Sequence, residues 1–379
     1  MDLVAGRSLP TERRPLRHLD PVLLIVTLAL AVIGVAMIYS AGRASLTAQH
    51  LDPNVFVRKQ TVFLVGGLVL LALAASFDYR FLKVYAGLVY VASLVLLILV
   101  RTPLGANIRG SQRWFQVLGF QFAPSELAKL ALIAMLAAFL SELRTTDLSL
   151  QEVYRVTAIA AVPGLLVFLQ PDLGTSIVLA AILVGVLVVA GARARHLAIL
   201  ALTALVLMFG AFQLGVVKDY QVARLQSWLD PSNDPQRSDY NKQQAEIAIG
   251  SGGMFGRGYL NGTQTNLDFV PEQHTDFIFT VVGEEFGFAG AMSVLLLFAV
   301  LIWRAYRIAV MAKDPFGSYV AAGIAAMFAI QMFVNVGMTL GIMPITGIPL
   351  PFVSYGGSSL LTNCVAVGLL LNVHMRRFT

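Results

Sequence analysis

Charge is scarce in this chain. Asp, Glu, Lys and Arg make up 13% of its 379 residues, about half the share of a soluble domain. That is too little polar surface to coat a water-soluble globule, so the excess apolar surface must face lipid. Cysteine is nearly absent: Cys364 is single, which excludes an internal disulfide and leaves it a small apolar packing residue. No zinc-ligand spacing occurs, since His18, His50, His196, His274 and His374 are scattered. The net charge of +6 comes without an aromatic-basic pattern, which argues against nucleic acid as a partner. Low-complexity tracts and visible internal repeats are also missing. No cleavable signal peptide is seen, because a polar start is followed by an apolar run long enough to span.

Hydrophobic residues, by contrast, make up 57% of the chain, and the mean hydropathy is +0.76. Apolar runs near spanning length fall at 20–40, 60–77, 81–101, 124–141, 154–170, 175–191, 196–216, 276–303, 318–340 and 355–374. The expected fold is an all-α integral membrane protein with about ten transmembrane helices. A tail at 1–19 precedes a single membrane domain at 20–379, and a large loop at 217–275 joins spans seven and eight. The fifth run contains Pro163, tolerated where neighbours satisfy the backbone. The eighth contains Gly283, Gly287 and Gly290 and is expected to be tilted, broken or closely packed.

Lysine and arginine set the orientation. With both termini in the cytoplasm, the inner segments hold Arg7, Arg13, Arg14, Arg17, Arg80, Lys83, Arg144, Arg155, Arg193, Arg195, Arg304, Arg307, Lys313, Arg376 and Arg377. The short outer loops hold only Arg43, Arg58, Lys59, Arg101, Arg109 and Arg113. The 217–275 loop is then also outside.

Polar chemistry collects on that outer side. Pro124 and Ser125 start a helix with Glu126 in its first turn, and Lys129 falls on the same face. An ionisable pair at that depth faces the bundle interior or a wet cavity. It is either a structural ion pair or a site for anionic substrate groups. Asp172 sits in a short turn, as a helix cap or as a contact for Lys129. The long loop carries Trp228, Asp230, Asp234, Lys242, Glu246 and Arg257, followed by a glycine-rich stretch at 247–262. Its glycines match no nucleotide-binding spacing. They allow either close approach to a diphosphate or sugar, or simply tight turns. Glu272, His274 and Asp276 cluster just before the eighth span, where Asp276 is an N-cap or a partly desolvated base. Glu284 and Glu285 lie deeper and need partners. The stretch 341–359, rich in proline, glycine and hydroxyls, suggests a re-entrant or extended loop, allowed at membrane depth only under cover.

Six strings, in order, carry a resemblance: GSQRWF at 110–115, PSELAK at 124–129, QPDLGTS at 170–176, IAIGSGG at 247–253, PEQHTDFIF at 271–279 and PLPFVSYGGSS at 349–359. Together they resemble the SEDS family (shape, elongation, division and sporulation). The GSGG string and GTQ at 262–264 are more similar to its rod-shape branch, RodA, than to its division branch, FtsW. Ala123, where many relatives have glutamine, is a small departure. The resemblance implies an inverting peptidoglycan glycosyltransferase. It would polymerise lipid II into β-1,4-linked strands at the outer face of the bacterial cytoplasmic membrane, drawing on a glycan held by undecaprenyl diphosphate. The implied partners are a class B penicillin-binding protein and the elongation proteins MreB, MreC and MreD. The family's essential aspartate corresponds to Asp276, as catalytic base. Substrate contacts would come from Lys129, Glu126, Arg113, Trp114, Asp172, His274 and Ser354. No metal site is assigned, but a divalent cation (Mg or Mn) on the diphosphate is compatible. Two other readings stay open: a flippase for lipid-linked precursors, which would place its charges nearer the midplane, and a non-catalytic scaffold for the penicillin-binding protein.

Overall fold

The computed structural model describes residues 18–108, 111–117, 120–143, 148–213 and 238–377. Arg7, Arg13, Arg14, Arg17, Arg109, Arg144, Trp228, Asp230 and Asp234 lie outside the described residues.

Each expected span is a helix: α1 (Pro21–Ala48), α2 (Val55–Ser76), α3 (Tyr79–Leu99), α4 (Pro124–Glu142), α5 (Leu150–Leu169), α6 (Leu173–Val189) and α7 (Ala194–Gln213). After α8 (Ser238–Ser251) and the short α9 (Thr263–Asn266) come α10 (Ile278–Met311), α11 (Pro315–Thr339) and α12 (Gly357–Arg376). Among the described residues, 8 helices are long and apolar enough to cross a membrane, and α6 and α7 are shorter apolar helices. Local chemistry starts several of them. Asp20, Asp78, Asp172 and Asp314 each accept a bond from a first-turn N–H, and Ser149 with Glu152 forms a capping box at α5. Pro163 sits inside α5 without ending it.

The helices divide into an inner group and a lipid-facing rim. In α4, α11 and α12 the most apolar window is 72%, 72% and 78% buried, against 17% in α2 and 22% in α3. Small residues let the inner helices approach. A Cβ on Gly67 of α2 would lie 2.8 Å from Cys364 Sγ of α12, so the lone cysteine packs at a helix crossing.

Contrary to the all-α expectation, the chain also forms a small sheet. Strands β1 (Ala106–Ile108), β2 (Ser111–Val117) and β3 (Phe120–Phe122) pair antiparallel in that order. They fill the link between α3 and α4, at the end of the bundle where α4, α6 and α10 begin. The opposite end is tied by ion pairs between Arg304 and Asp20 and, at 3.2 Å, between Arg376 and Asp78.

Candidate active site

Residues 271–277 form a tight turn before α10. The N–H groups of Asp276 and Phe277 both donate to the Glu272 carbonyl, at 3.2 and 3.4 Å, and Glu272 has φ of 55°. Phe277 takes the N-cap position of α10 and makes no side-chain cap bond, so Asp276 precedes the helix instead of capping it. Its carboxylate lies against the backbone of Gly347, where a Cβ would be 3.2 Å from Oδ2 and φ is 72°. Both the conformation and the space call for glycine there. Asn335 of α11, fully buried, fixes this arrangement. Its Nδ2 donates to the carbonyls of Asp276 and Ile348, both at 2.8 Å. Two carbonyls can be met only by the amide NH₂, which sets its orientation.

Of the 341–359 stretch, residues 344–350 run without helix or strand and 357–359 open α12; Ile342 is 61% exposed, but the later part is buried. Ile348, Leu350, Phe352 and Val353 are at most 3% exposed. Gly34 of α1 lets it pass closely, since a Cβ there would be 2.4 Å from the Phe352 carbonyl. Such backbone at membrane depth is possible because protein covers it. Ser354 holds this turn: its Oγ accepts from Leu350 N–H at 2.8 Å, and its carbonyl accepts from Gln60 Nε2 at 3.3 Å. The segment also joins the rest of the site. Tyr355 N–H donates to the His274 carbonyl at 2.9 Å. The His274 ring stacks on Phe56 with centroids 4.4 Å apart and meets Tyr355 at 5.7 Å. Further on, Ser358 Oγ donates to the Gln121 carbonyl at 2.8 Å and accepts from Ala123 N–H at 3.1 Å. That contact pins β3 and the start of α4.

One turn into α4, Lys129 Nζ lies 2.8 Å from both carboxylate oxygens of Glu126, and Lys129 is 1% exposed. The pair expected on one helix face therefore exists and is buried. The expected Lys129 contact with Asp172 is replaced by another. Asp172 caps α6, accepting from Thr175 N–H at 3.1 Å and Thr175 Oγ1 at 2.9 Å. Its cationic neighbour is Arg113, at 3.9 Å. Arg113 donates from Nε to the Gln170 carbonyl at 2.8 Å and from its terminal nitrogen to the Pro171 carbonyl. A guanidinium suits such a two-carbonyl clamp because its donors form a rigid fork. Trp114, half-buried, lies opposite Ala106, beside the irregularity in the β1–β2 register.

The glycine-rich stretch is used on the protein itself. α10 breaks at Gly287 (φ 65°, ψ −159°). The carbonyls released there, of Glu284 and Glu285, accept from Arg257 and Gly258 N–H, both at 3.0 Å. The released N–H groups of Phe288 and Ala289 donate to Gly253 and Met254, at 2.9 and 3.1 Å. Residues 253–258 thus plug the break. The fully buried Glu284 caps α9, accepting from Gln264 N–H at 2.7 Å and from Thr265 N–H at 3.0 Å. Glu285 accepts from Leu260 N–H at 3.1 Å and from Ser40 Oγ.

This broken helix, covered re-entrant segment and buried Lys–Glu pair accompany the six strings along one continuous chain. The family model for cell cycle proteins of the FtsW, RodA and SpoVE type matches residues 21–378. The chain belongs to this SEDS family. Among its relatives, stage V sporulation protein E of Bacillus subtilis is 41% identical over 357 residues, 93% of this chain and 96% of that protein. The peptidoglycan glycosyltransferase MrdB of Escherichia coli K12 is 36% identical over 368 residues, 95% of this chain and 94% of that one. Two solved structures are similar. One, described as showing structural coordination of polymerization and crosslinking by a peptidoglycan synthase complex, has TM-score 0.80 and 34% identity, covering 95% of this chain and 99% of that chain. The rod shape determining protein RodA of Thermus thermophilus has TM-score 0.69 and 31% identity, covering 95% and 98%.

On this SEDS scaffold, Asp276, His274 and Ser354 share one continuous set of contacts with the re-entrant segment. Ser358 ties that segment to Gln121 and Ala123, just before the helix that carries Glu126 and Lys129, while Arg113 and Asp172 organise the turn before α6. Among the described residues no three His, Cys, Asp or Glu side chains group to hold a metal. Asn335 and Gly347 escaped the sequence analysis. For Asn335 the signal was available: a carboxamide in the apolar run FVNVGM needs a partner within the bundle.

Proposed function

We propose that this chain is an inverting peptidoglycan glycosyltransferase that polymerises lipid II. Asp276, held beside Gly347 on a turn that Asn335 fixes from behind, is the observation that carries the reading. Relatives named for peptidoglycan glycosyltransfer support it. Asp276 takes the proton from the acceptor's sugar 4-hydroxyl as that oxygen attacks the donor's anomeric carbon. The bond to the diphosphate breaks, and the diphosphate leaves with the electron pair. A positioned base of this kind contributes roughly 10²–10⁴-fold.

The leaving diphosphate needs positive charge. Arg113 is engaged on two carbonyls and Asp172, and Lys129 is already neutralised by Glu126. We therefore assign Lys129 a share of the diphosphate and the larger share to a divalent cation, Mg or Mn, held chiefly by the diphosphate itself. His274 and Trp114 shape the sugar side, and Ser354 holds the turn beside them.

The site faces outward across the bacterial cytoplasmic membrane, with both termini inside, following the Lys/Arg bias. The GSGG and GTQ strings favour cell elongation, with MreB, MreC and MreD as the wider setting, and family membership favours a class B penicillin-binding protein as partner. The test is polymerisation of labelled lipid II by the purified protein with that partner, comparing wild type with Asp276→Asn. Polymer from wild type alone is the expected result. Equal polymer from both would move the base elsewhere. No polymer from either, beside an active control enzyme, would favour transport or scaffolding. Rescue of rod shape in an elongation-depleted strain, but not of division or sporulation in the corresponding strains, is expected for the elongation role.

A further inference from the structure

Gln331 of α11 lies in the apolar run MFAIQMFV, one turn before Asn335. It is fully buried, and neither its Nε2 nor its Oε1 has a hydrogen-bond partner among the described residues. A buried carboxamide with both ends unmet is costly, and the fold as described so far gives it nothing to hold. Its level in the bundle shows what stands opposite. A Cβ on Gly323 would lie 2.9 Å from Ile133 Cγ1, so α11 and α4 approach closely there. The two helices run antiparallel, since α4 begins and α11 ends at the Asp276 end. From Gly323, Gln331 lies eight residues towards that end, about 12 Å; from Ile133, Glu126 lies seven, about 10.5 Å. Steps of seven and eight keep both residues on the stripes that meet at Gly323 and Ile133. Two long side chains can bridge helix axes about 8–10 Å apart. Gln331 and Glu126 therefore stand at one level on facing helices.

The Glu126 carboxylate has room for a further donor. Its Oε1 accepts from the Lys129 ammonium at 2.8 Å, while Oε2 stands at the same distance but outside hydrogen-bond geometry. The same pairing restrains the cation. A buried lysine neutralised by its own carboxylate can turn to a diphosphate only if that carboxylate gains another partner, because a buried unpaired carboxylate is strongly unfavourable. The Gln331 amide carries two N–H donors, and neither is engaged. It also brings no charge of its own, so Glu126 stays free to recover Lys129 when the diphosphate departs.

We propose that Gln331 is a positioning residue for Lys129: its amide takes the Glu126 carboxylate when a diphosphate arrives, which releases the ammonium to that diphosphate. This rests on the reading of Lys129 as a diphosphate contact and adds the partner that makes the contact possible.

The test is native mass spectrometry of the purified, delipidated protein in magnesium buffer, beside thermal unfolding. The probe is undecaprenyl diphosphate, with phosphatidylglycerol as control. Gln331→Met is close in shape and removes only the amide. It should melt at or above wild type, because an unmet buried polar group is gone. It should nonetheless retain undecaprenyl diphosphate roughly 10- to 100-fold less well, from the lost hydrogen bond to a charged group, with phosphatidylglycerol unaffected. In a Glu126→Gln background no carboxylate needs a new partner, so the same substitution should change retention by less than about twofold. If Glu126→Gln does not fold, Gln331→His replaces that cycle: its ring keeps an N–H donor and should recover most of the loss. The proposal is overturned by wild-type retention in Gln331→Met, by an equal loss of phosphatidylglycerol, or by a melting temperature that falls along with retention. An undiminished effect in Glu126→Gln, or no recovery in Gln331→His where it is used, also overturns it. Wild type that retains undecaprenyl diphosphate but makes no polymer from lipid II would remove the glycosyltransferase reading and leave the role of Gln331 standing. Wild type that retains none would remove the diphosphate contact of Lys129, and this proposal with it.

Discussion

Asn335→Asp replaces an amide by a carboxyl of the same shape and removes one donor. The NH₂ now meets the carbonyls of Asp276 and Ile348, both at 2.8 Å, in a fully buried site. An ionised carboxylate would point oxygen at both carbonyls, so the new carboxyl must stay protonated, and its one O–H can serve only one of them. Holding an ordinary aspartate protonated at pH 7 means raising its pKa by about three units, or about 4 kcal/mol. The carbonyl left unmet adds about 1–3 kcal/mol. The sum, about 5–7 kcal/mol, is comparable to the whole stability of many folded chains. The sign of the pH dependence follows. The folded pKa is raised above the unfolded one, so the penalty grows as pH rises from about 4 towards the folded pKa and shrinks on acidification. Between pH 7 and pH 5 it should fall by about 2.7 kcal/mol. Asn335→Ala leaves both carbonyls unmet at about 2–6 kcal/mol, with no such pH dependence. The assay is thermal unfolding of both variants and wild type at pH 5 and pH 7, with lipid II polymerisation on whatever remains folded. Displacing Asp276 by about 1 Å should lower kcat by roughly 100-fold with KM little changed. Wild-type melting and turnover in Asn335→Asp, or a deficit equal at both pH values, would refute this account.

Three further outcomes are expected. Gly287→Ala should lower the melting temperature sharply: its φ of 65° suits glycine, and a Cβ would lie 2.4 Å from Gly256 N. Strain of about 1–3 kcal/mol adds to weakened bonds across the break, and thermal unfolding reads the sum. Arg113→Lys should destabilise nearly as much as Arg113→Gln, by about 2–4 kcal/mol, because a single ammonium cannot reproduce the fork on Gln170 and Pro171. Denaturation of the two variants side by side checks this. Chelation of divalent ions should abolish polymer formation, restorable by Mg or Mn, while leaving the melting temperature unchanged. Polymerisation at the normal rate in chelator would return the diphosphate to Lys129 alone.

The spans were legible because hydropathy is a local, additive property, so runs such as 124–141 and 318–340 correspond to α4 and α11 within a few residues. The Lys129–Glu126 pair was legible for a similar reason, since three residues along a helix fixes the geometry. What failed to show were long-range partnerships. Of three glycines in the eighth span, Gly287 alone breaks it, because residues 253–258 arrive to satisfy the freed backbone. The small sheet at 106–122 was missed because strands of 3, 7 and 3 residues carry little pattern. Arg113 and Ser354 show a subtler limit. Groups that suit phosphate or sugar equally suit a peptide carbonyl or N–H, and composition does not show which one lies opposite.

That ambiguity has a physical resolution in the depth of the backbone. Irregular chain inside a bilayer is possible only if each polar group finds a partner within the protein. Among the described residues two such places stand out, the break at Gly287 and the segment ending at Ser354, and much of the described polar chemistry is consumed there. Glu284 holds Gln264 and Thr265, Glu285 holds Leu260, Gln60 and Ser354 hold the re-entrant turn, and Ser358 holds the start of α4. The buried acids of α10 therefore need no catalytic role to explain them. Asp276 is held through its backbone: Asn335 and Glu272 grip its carbonyl and N–H, and its carboxylate lies against Gly347, where a Cβ would be 3.2 Å from Oδ2. A main chain clamped at both its carbonyl and its N–H fixes where the side chain stands, which is what the base role proposed for Asp276 requires.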